Sequence, residues 1–408
     1  MPRTREYHLH LPYFHVDTSK NMSLLYGVRI TRDLVMKLAM FFFPIYLYIH
    51  GTSDPFWQFL PGSELQRGVS LLVLFYLIHR LTVLFTGIGI GKITTKIGYV
   101  KAMSIGFSLF ALFLSLLYMN HNPGWILLLA AFINGLETNF FWNSYFTLMS
   151  KFALNKHVGQ DLGLLQFFLQ IAQAIAPALG GLLIVSFGFP SLFMVGLVGV
   201  LIALIFVLQL DLKKEHDVVS WGEFLSWTKE GTFLRLSLAY AGQYLNNATL
   251  VLWPLYIFLI LGSIDRVGIL YTLSLFLAMI LSFAVGFYVD HRKNKKPFYL
   301  SGSLLSLLWL LRVQVVSFWQ IAMIDTIDKI TANFHWLFFD SISMKRGQGG
   351  QAFSYFVYRE LITSLAAILF WLIVGGLFLF LSQPWLALFV LAAVGVMFSL
   401  LIKEHHKP

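Results

Sequence analysis

The stretch "MIDTIDKITANFHW", residues 323–336, lies inside an apolar run long enough to cross a bilayer, yet it holds two aspartates and a lysine within five residues. A charge at the bilayer centre costs at least about 2.5 kcal/mol on insertion scales, so such residues persist only where they pair or line a polar interior. The stretch ends in "NFHW" (333–336), an echo of "NFFW" (139–142) 194 residues earlier. A charge cluster within a span and a long-range echo therefore come together in fourteen residues.

The surrounding chain explains why a span is the right unit. Of 408 residues, 58% are hydrophobic and 12% charged, with 40 phenylalanines, and the mean hydropathy is +0.75. A soluble domain is roughly 25% charged, so the class is a polytopic membrane protein. Apolar segments recur at 29–50, 67–91, 100–119, 124–150, 161–187, 190–211, 233–261, 266–289, 297–314, 317–343, 353–381 and 385–402, which predicts twelve transmembrane helices. There is no cysteine, which removes disulfides and thiolate metal sites. Residues 1–28 lack a continuous apolar core and a small-residue cleavage site, so they read as a cytoplasmic segment rather than a removable signal peptide.

The net charge of +10 is a topology signal. Connections bearing Lys92, Lys96 and Lys101, Lys151 and Lys156, Lys213 and Lys214, Arg292 to Lys296, and Lys345 and Arg346 alternate with connections holding little beyond Arg67, Arg266 and Arg312. The positive-inside rule then places both termini and the central loop in the cytoplasm. Nucleic acid needs no place in this account; the partner is the lipid bilayer of the cell membrane.

Further echoes accompany the first. "FPIYLYIHGTSD" (43–54) parallels "WPLYIFLILGSID" (253–265), and Gly91 parallels Gly286. Gly180-Gly181 parallels Gly375-Gly376, and Pro190 parallels Pro384, with the last three offsets near 195. Ordered matches at a near-constant offset describe two parallel six-helix halves, a repeat plan found in secondary transporters. The expected division is a segment at 1–28, a bundle at 29–211, a linker at 212–231, a bundle at 232–403 and a tail at 404–408. In the linker, Val218, Trp221, Phe224 and Leu225 share a helical face, which suits either an interfacial helix or an ordinary connection with two anchoring tryptophans.

Twelve spans, a six-plus-six repeat and basic loops after spans two and eight resemble the major facilitator superfamily. Its loop signature, Gly-x-x-x-Asp-Arg-x-Gly-Arg/Lys, is similar to Gly286-Phe-Tyr-Val-Asp290-His-Arg292 in the second half. In the first half Gly91 and Lys96 are kept, but Thr95 stands in the aspartate's place. The resemblance implies a gating latch at these loops that holds one conformation until solute shifts the balance. "AIAPALGG" (174–181) is similar to an exporter signature, with Ala176 for its first glycine; proline and glycines let a helix bend and pack closely. The arginine-based exporter motif of span four is absent.

The resemblance also implies that spans one, four, seven and ten line a central cavity, and the polar residues concentrate there. Asp325, Asp328, Lys329, Asn333 and Trp336 follow one stripe of span ten, and Asn134 and Glu137 lie on span four. Asp33 and Lys37 form an i,i+4 pair on span one, aligned by the repeat with Gln243 and Asn247 of span seven. Arg80, Arg359 and Glu360 are candidates for buried pairs between helices. Glu137, with no cation within a turn of its own helix, is the expected proton carrier.

Other chemistries fit poorly. "GIGIGKITT" (87–95) has the wrong spacing for a phosphate loop and ends a membrane helix. His8, His10, His15, His405 and His406 lack a metal-binding spacing, and no nucleophile-base-acid set stands out. The expectation is a monomeric secondary transporter with no cofactor, metal or catalytic residue. It moves a small solute by alternating access, with proton coupling and a lean toward antiport export. The alternatives are an importer of the same fold and a membrane sensor or scaffold that does not transport.

Overall fold

In a lipid interior every backbone N–H and C=O must find a partner within the protein, and a run of some twenty apolar residues meets that demand by coiling. The computed structural model describes residues 7–11, 14–18, 20–119, 124–152, 158–210, 217–230, 232–289, 296–347 and 351–402. Almost all of them are helical. The first half holds α1 (Lys20–Met40), α2 (Phe43–Ser53), α3 (Glu64–Ile97), α4 (Tyr99–Tyr118), α5 (Ile126–Phe152), α6 (Val158–Phe187) and α7 (Phe189–Leu208). A short α8 (Trp221–Trp227) leads to α9 (Phe233–Leu261), α10 (Ile264–Val289), α11 (Lys296–Leu311), α12 (Phe318–Arg346), α13 (Ala352–Phe380) and α14 (Pro384–Ser399). Besides the helices and their connections, the described residues include an antiparallel hairpin of β1 (Tyr7–Leu11) and β2 (Phe14–Thr18), in which Tyr7 pairs with Thr18 and Leu11 with Phe14.

Among the described residues, seven helical segments are long and apolar enough to cross a membrane: Lys20–Ser53, Glu64–Ile97, Tyr99–Tyr118, Phe168–Phe187, Phe189–Leu208, Phe233–Leu261 and Ala352–Phe380. Helices α5 and α12 are as long, at 27 and 29 residues, but more polar. The first helix differs from its expected span. It begins at Lys20, nine residues early, and breaks at Phe41–Phe42 just before Pro44. Proline suits a first helical turn, where its missing N–H has no partner to lose, so the chain restarts as α2. Pro190 near the start of α7 and Pro384 at the start of α14 do the same in both repeats.

Helices α1 to α7 pack among themselves, chiefly α4 on α5 and α7, α3 on α5, and α1 on α6 and α7. Helices α9 to α14 form a second group through α9 with α13 and α14, α10 with α12, and α11 with α12 and α14. The repeat reaches atomic detail. Gly106 of α4 admits Phe141 of α5, and Gly302 of α11 admits His335 of α12; a methyl on either glycine would stand 3.0 Å from its partner. His335 replaces the phenylalanine by stacking flat on Phe298 at 4.6 Å and bonding Ser399 Oγ at 2.7 Å.

The two groups meet along α6 with α10 and along α3 with α13. "APALGG" supplies the first contact. Pro177 lies inside α6, the Ala178 N–H donates to Thr272 Oγ1 of α10 at 3.1 Å, and a methyl on Gly268 would stand 2.5 Å from the Pro177 carbonyl oxygen. At one end of the bundle the segment around α8 joins both groups. Asp217 binds Lys151 at 3.8 Å and accepts from the Tyr99 hydroxyl, while Tyr358 of α13 donates to Glu223 Oε2 at 2.6 Å. Phe224 and Trp227 of α8 pack on Tyr358, whereas Val218, Trp221 and Leu225 are exposed. The face read from the linker sequence is thus divided between protein and surroundings.

Candidate functional site

Two of the sequence-derived charge clusters are closed pairs within one group of helices. Glu137 on α5 accepts from Arg32 Nη2 on α1 at 2.6 Å, with both side chains 2% exposed. The guanidinium lies over Phe141 and Trp142, at 4.2 and 4.3 Å from the ring centroids. Glu137 therefore does have a cation partner, from a neighbouring helix, and it is not a free proton carrier. Likewise, Asp325 and Asp328 face Arg312 Nη2 at 3.3 Å each. Arg312 stands in a short turn (312–314) after α11, is fully buried, and rests on Trp309 at 4.0 Å and Trp253 at 4.7 Å. The Trp253 indole N–H adds a 2.8 Å bond to Asp325. This triad locks α9, α11 and α12 together, so the two aspartates are not open to a solute as the sequence had suggested.

The remaining polar residues are less tightly closed. Asp33 pairs with Arg29 at 3.1 Å rather than with Lys37. Lys37 is exposed, one turn before the α1–α2 break, and makes no salt bridge or hydrogen bond among the described residues. Lys329 is half-buried, with Nζ 5.5 Å from the Tyr271 ring of α10. Gln243 of α9 donates to Asp340 of α12 at 3.0 Å, and Asp340 is exposed. Asn247 is exposed and accepts from Asn246 at 3.2 Å. Asn134 and Asn333 are half-buried on α5 and α12, and Trp336 packs edge-on against His335 and Phe339. Arg80 of α3 bridges to Glu360 of α13 at 2.8 Å across the two groups, while Arg359 donates to Ser343 Oγ at 3.2 Å.

Solvent access and long-range charge together define where these residues sit. Lys37 of α1 is within electrostatic reach of Lys329 of α12, and Asp340 of α12 within reach of Arg29 of α1. Among the described residues, Arg29, Arg32, Lys37, Arg80, Arg312, Lys329 and Arg359 share the helices and the 312–314 turn with Asp33, Glu137, Asp325, Asp328, Asp340 and Glu360. Arg29, Arg32 and Asp340 were not named from the sequence and Arg312 was assigned to a connection, and counting every charge between the ends of the spans would have found them.

Of the proposed gating residues, Gly91 gives room to Val219 of the linker, a methyl there standing 3.3 Å away, and Lys96 is exposed in the last turn of α3. Gly286 lies within α10; Asp290 and Arg292 fall outside the described residues.

The described residues form a helical membrane bundle of two packed groups with buried ion pairs. The sequence profile of the Major Facilitator Superfamily matches residues 25–234. The chain belongs to that superfamily. The human organic anion transporter MFSD10 (TETRAN) is similar in structure, with a TM-score of 0.67 at 14% identity, covering 94% of this chain and 97% of the other. The E. coli fucose:proton symporter FucP aligns with a TM-score of 0.62 at 15% identity, over 93% and 97%. No curated protein is significantly similar in sequence.

Proposed function

We propose that this chain is a secondary active transporter that moves a small solute by alternating access. The two groups, α1–α7 and α9–α14, rock about the α6–α10 and α3–α13 contacts as twelve spans of the cell membrane. The basic end, the termini and α8 face the cytoplasm, and one copy suffices. The observation that carries this reading is the division into two packed helix groups, with an exposed charge on a helix of each, Lys37 on α1 and Asp340 on α12. A solute placed there touches both groups and can bias which way they close. Similar folds in an organic anion transporter and a fucose:proton symporter support carriage of a small solute. Exchange against protons runs through Asp340, whose hydrogen-bond partner is the neutral amide of Gln243, with net movement outward.

The test is a two-stage measurement on purified protein. A ligand that binds the native state raises its thermal stability, so a metabolite library identifies solutes for counterflow in proteoliposomes. Saturable exchange of a stabilising solute is the expected result. Stabilising ligands that show no flux above protein-free vesicles would reject transport.

A further inference from the structure

We infer that the space between the helix groups takes a small organic monoanion, its charged group held between Lys37 of α1 and Lys329 of α12. The inference rests on the transport reading and adds the class of solute.

Each lysine has a carboxylate one helical turn before it, and each of those carboxylates is already engaged. Asp33 faces Arg29 at 3.1 Å, and Asp325 faces Arg312 and accepts from the Trp253 indole. Among the described residues neither ammonium has a salt bridge of its own, and the contacts that run from Lys329 through Tyr271 to Phe41 bring the two lysines toward one seam between α1 and α12. Like charges near one another repel in a medium of reduced dielectric, and an anion between them turns repulsion into two attractions. One anionic group can meet both ammoniums, which sets the favoured ligand charge at one. The surroundings set its body. Lys329 lies 5.5 Å from the Tyr271 ring, Tyr271 meets Phe41 edge-to-face at 4.5 Å, and Phe41, four residues after Lys37, stands in the break between α1 and α2. Two lysines and two aromatic rings, drawn from α1, α10 and α12, suit a carboxylate or sulfonate carried on an apolar or aromatic group. Closing on it draws α1 toward α12, so the ligand's charge is what joins the two groups.

The absence of native cysteine makes a direct test simple. Asn333→Cys, one turn beyond Lys329, places one thiol beside the site in full-length protein held in nanodiscs; Asn247→Cys on α9 is the second reporter. Each is labelled with anionic 2-sulfonatoethyl and cationic 2-trimethylammonioethyl methanethiosulfonate, and the ratio of rates is compared with that of free 2-mercaptoethanol. The expected ratio favours the anion by about ten-fold over the free thiol, the lower range for a focused charged cleft. It falls to the free-thiol value when Lys37→Gln and Lys329→Gln are added, and it is kept by Lys37→Arg and Lys329→Arg. Benzenesulfonate slows labelling, and neutral benzenesulfonamide does not. A ratio at or below the free thiol's, a ratio indifferent to the glutamine substitutions, equal protection by the sulfonamide, or thiols inert to both reagents overturns the inference. Counterflow separates it from the broader reading. Flux of neutral or cationic solutes with no anion preference leaves transport standing and removes the monoanion. Anion preference and protection without any flux removes transport and leaves the site.

Discussion

At the scale of residues, the arginines decide which carboxylates are structural and which are available. A buried ion pair is costly to break because one partner is left charged in a poor solvent, typically by about 3–5 kcal/mol. Arg312 neutralises two aspartates, so the triad is asymmetric. Arg312→Met leaves two facing carboxylates and is expected to lower thermal stability by about that amount. Asp328→Asn removes one of two like charges, keeps the Asp325–Arg312 bond, and should cost far less. Unfolding of both variants in the same detergent checks the difference; equal losses would reject a shared guanidinium. Asp340 stands apart from this pattern, since its hydrogen-bond partner is an amide. Asp340→Asn should abolish accumulation driven by a pH gradient while equilibrium exchange at equal pH continues. Intact pH-driven accumulation would show that the proton travels elsewhere.

At the scale of elements, the α6–α10 crossing sets how closely the two groups approach. Gly181 and Gly268 both face that seam, but with different clearance. A methyl on Gly181 would meet the Ile264 carbonyl oxygen at 3.4 Å, an ordinary contact, while one on Gly268 would stand 2.5 Å from the Pro177 carbonyl oxygen. Backbone atoms cannot step aside as a side chain can, and overpacking costs about 1–3 kcal/mol. Gly268→Ala should therefore lower stability by about that amount and impair counterflow, with Gly181→Ala close to wild type in both. Matching behaviour of the two variants would show that the seam yields. The contrast also gives "APALGG" a role in helix packing that holds for movement in either direction.

At the scale of the whole molecule, α8 straps the basic end. Its flanking segment holds the first group through Asp217 with Tyr99 and Lys151, and the second through Tyr358 with Ser220 and Glu223. A strap tied to both groups resists their separation at that end. Tyr358→Phe removes its ties to the second group, where one hydrogen bond to a charged acceptor is worth about 1.5–3 kcal/mol. The expected outcome is faster trypsin cleavage at the exposed Lys229, with α13 otherwise intact. Unchanged cleavage would mean that the aromatic contacts of Phe224 and Trp227 suffice.

The helical membrane class and the family were legible in the chain because each rests on local or periodic information. Twenty apolar residues must coil wherever they lie in lipid, and a repeat shows itself by offset alone. The positions of Asp33, Lys37, Asp325, Asp328 and Lys329 could also be read, but not their partners. Sequence spacing favoured Asp33 with Lys37 and Asp325 with Lys329, one turn apart on the same helix. Folding instead brought Arg312 to both aspartates of α12 and Arg32 across from α1 to Glu137, while Asp33 went to Arg29 in the turn before it. Pairing in a membrane interior is decided by which charges become neighbours when helices pack, since an uncompensated charge there costs more than any local preference returns. Only the tertiary structure could therefore show which arginines hold the aspartates and Glu137.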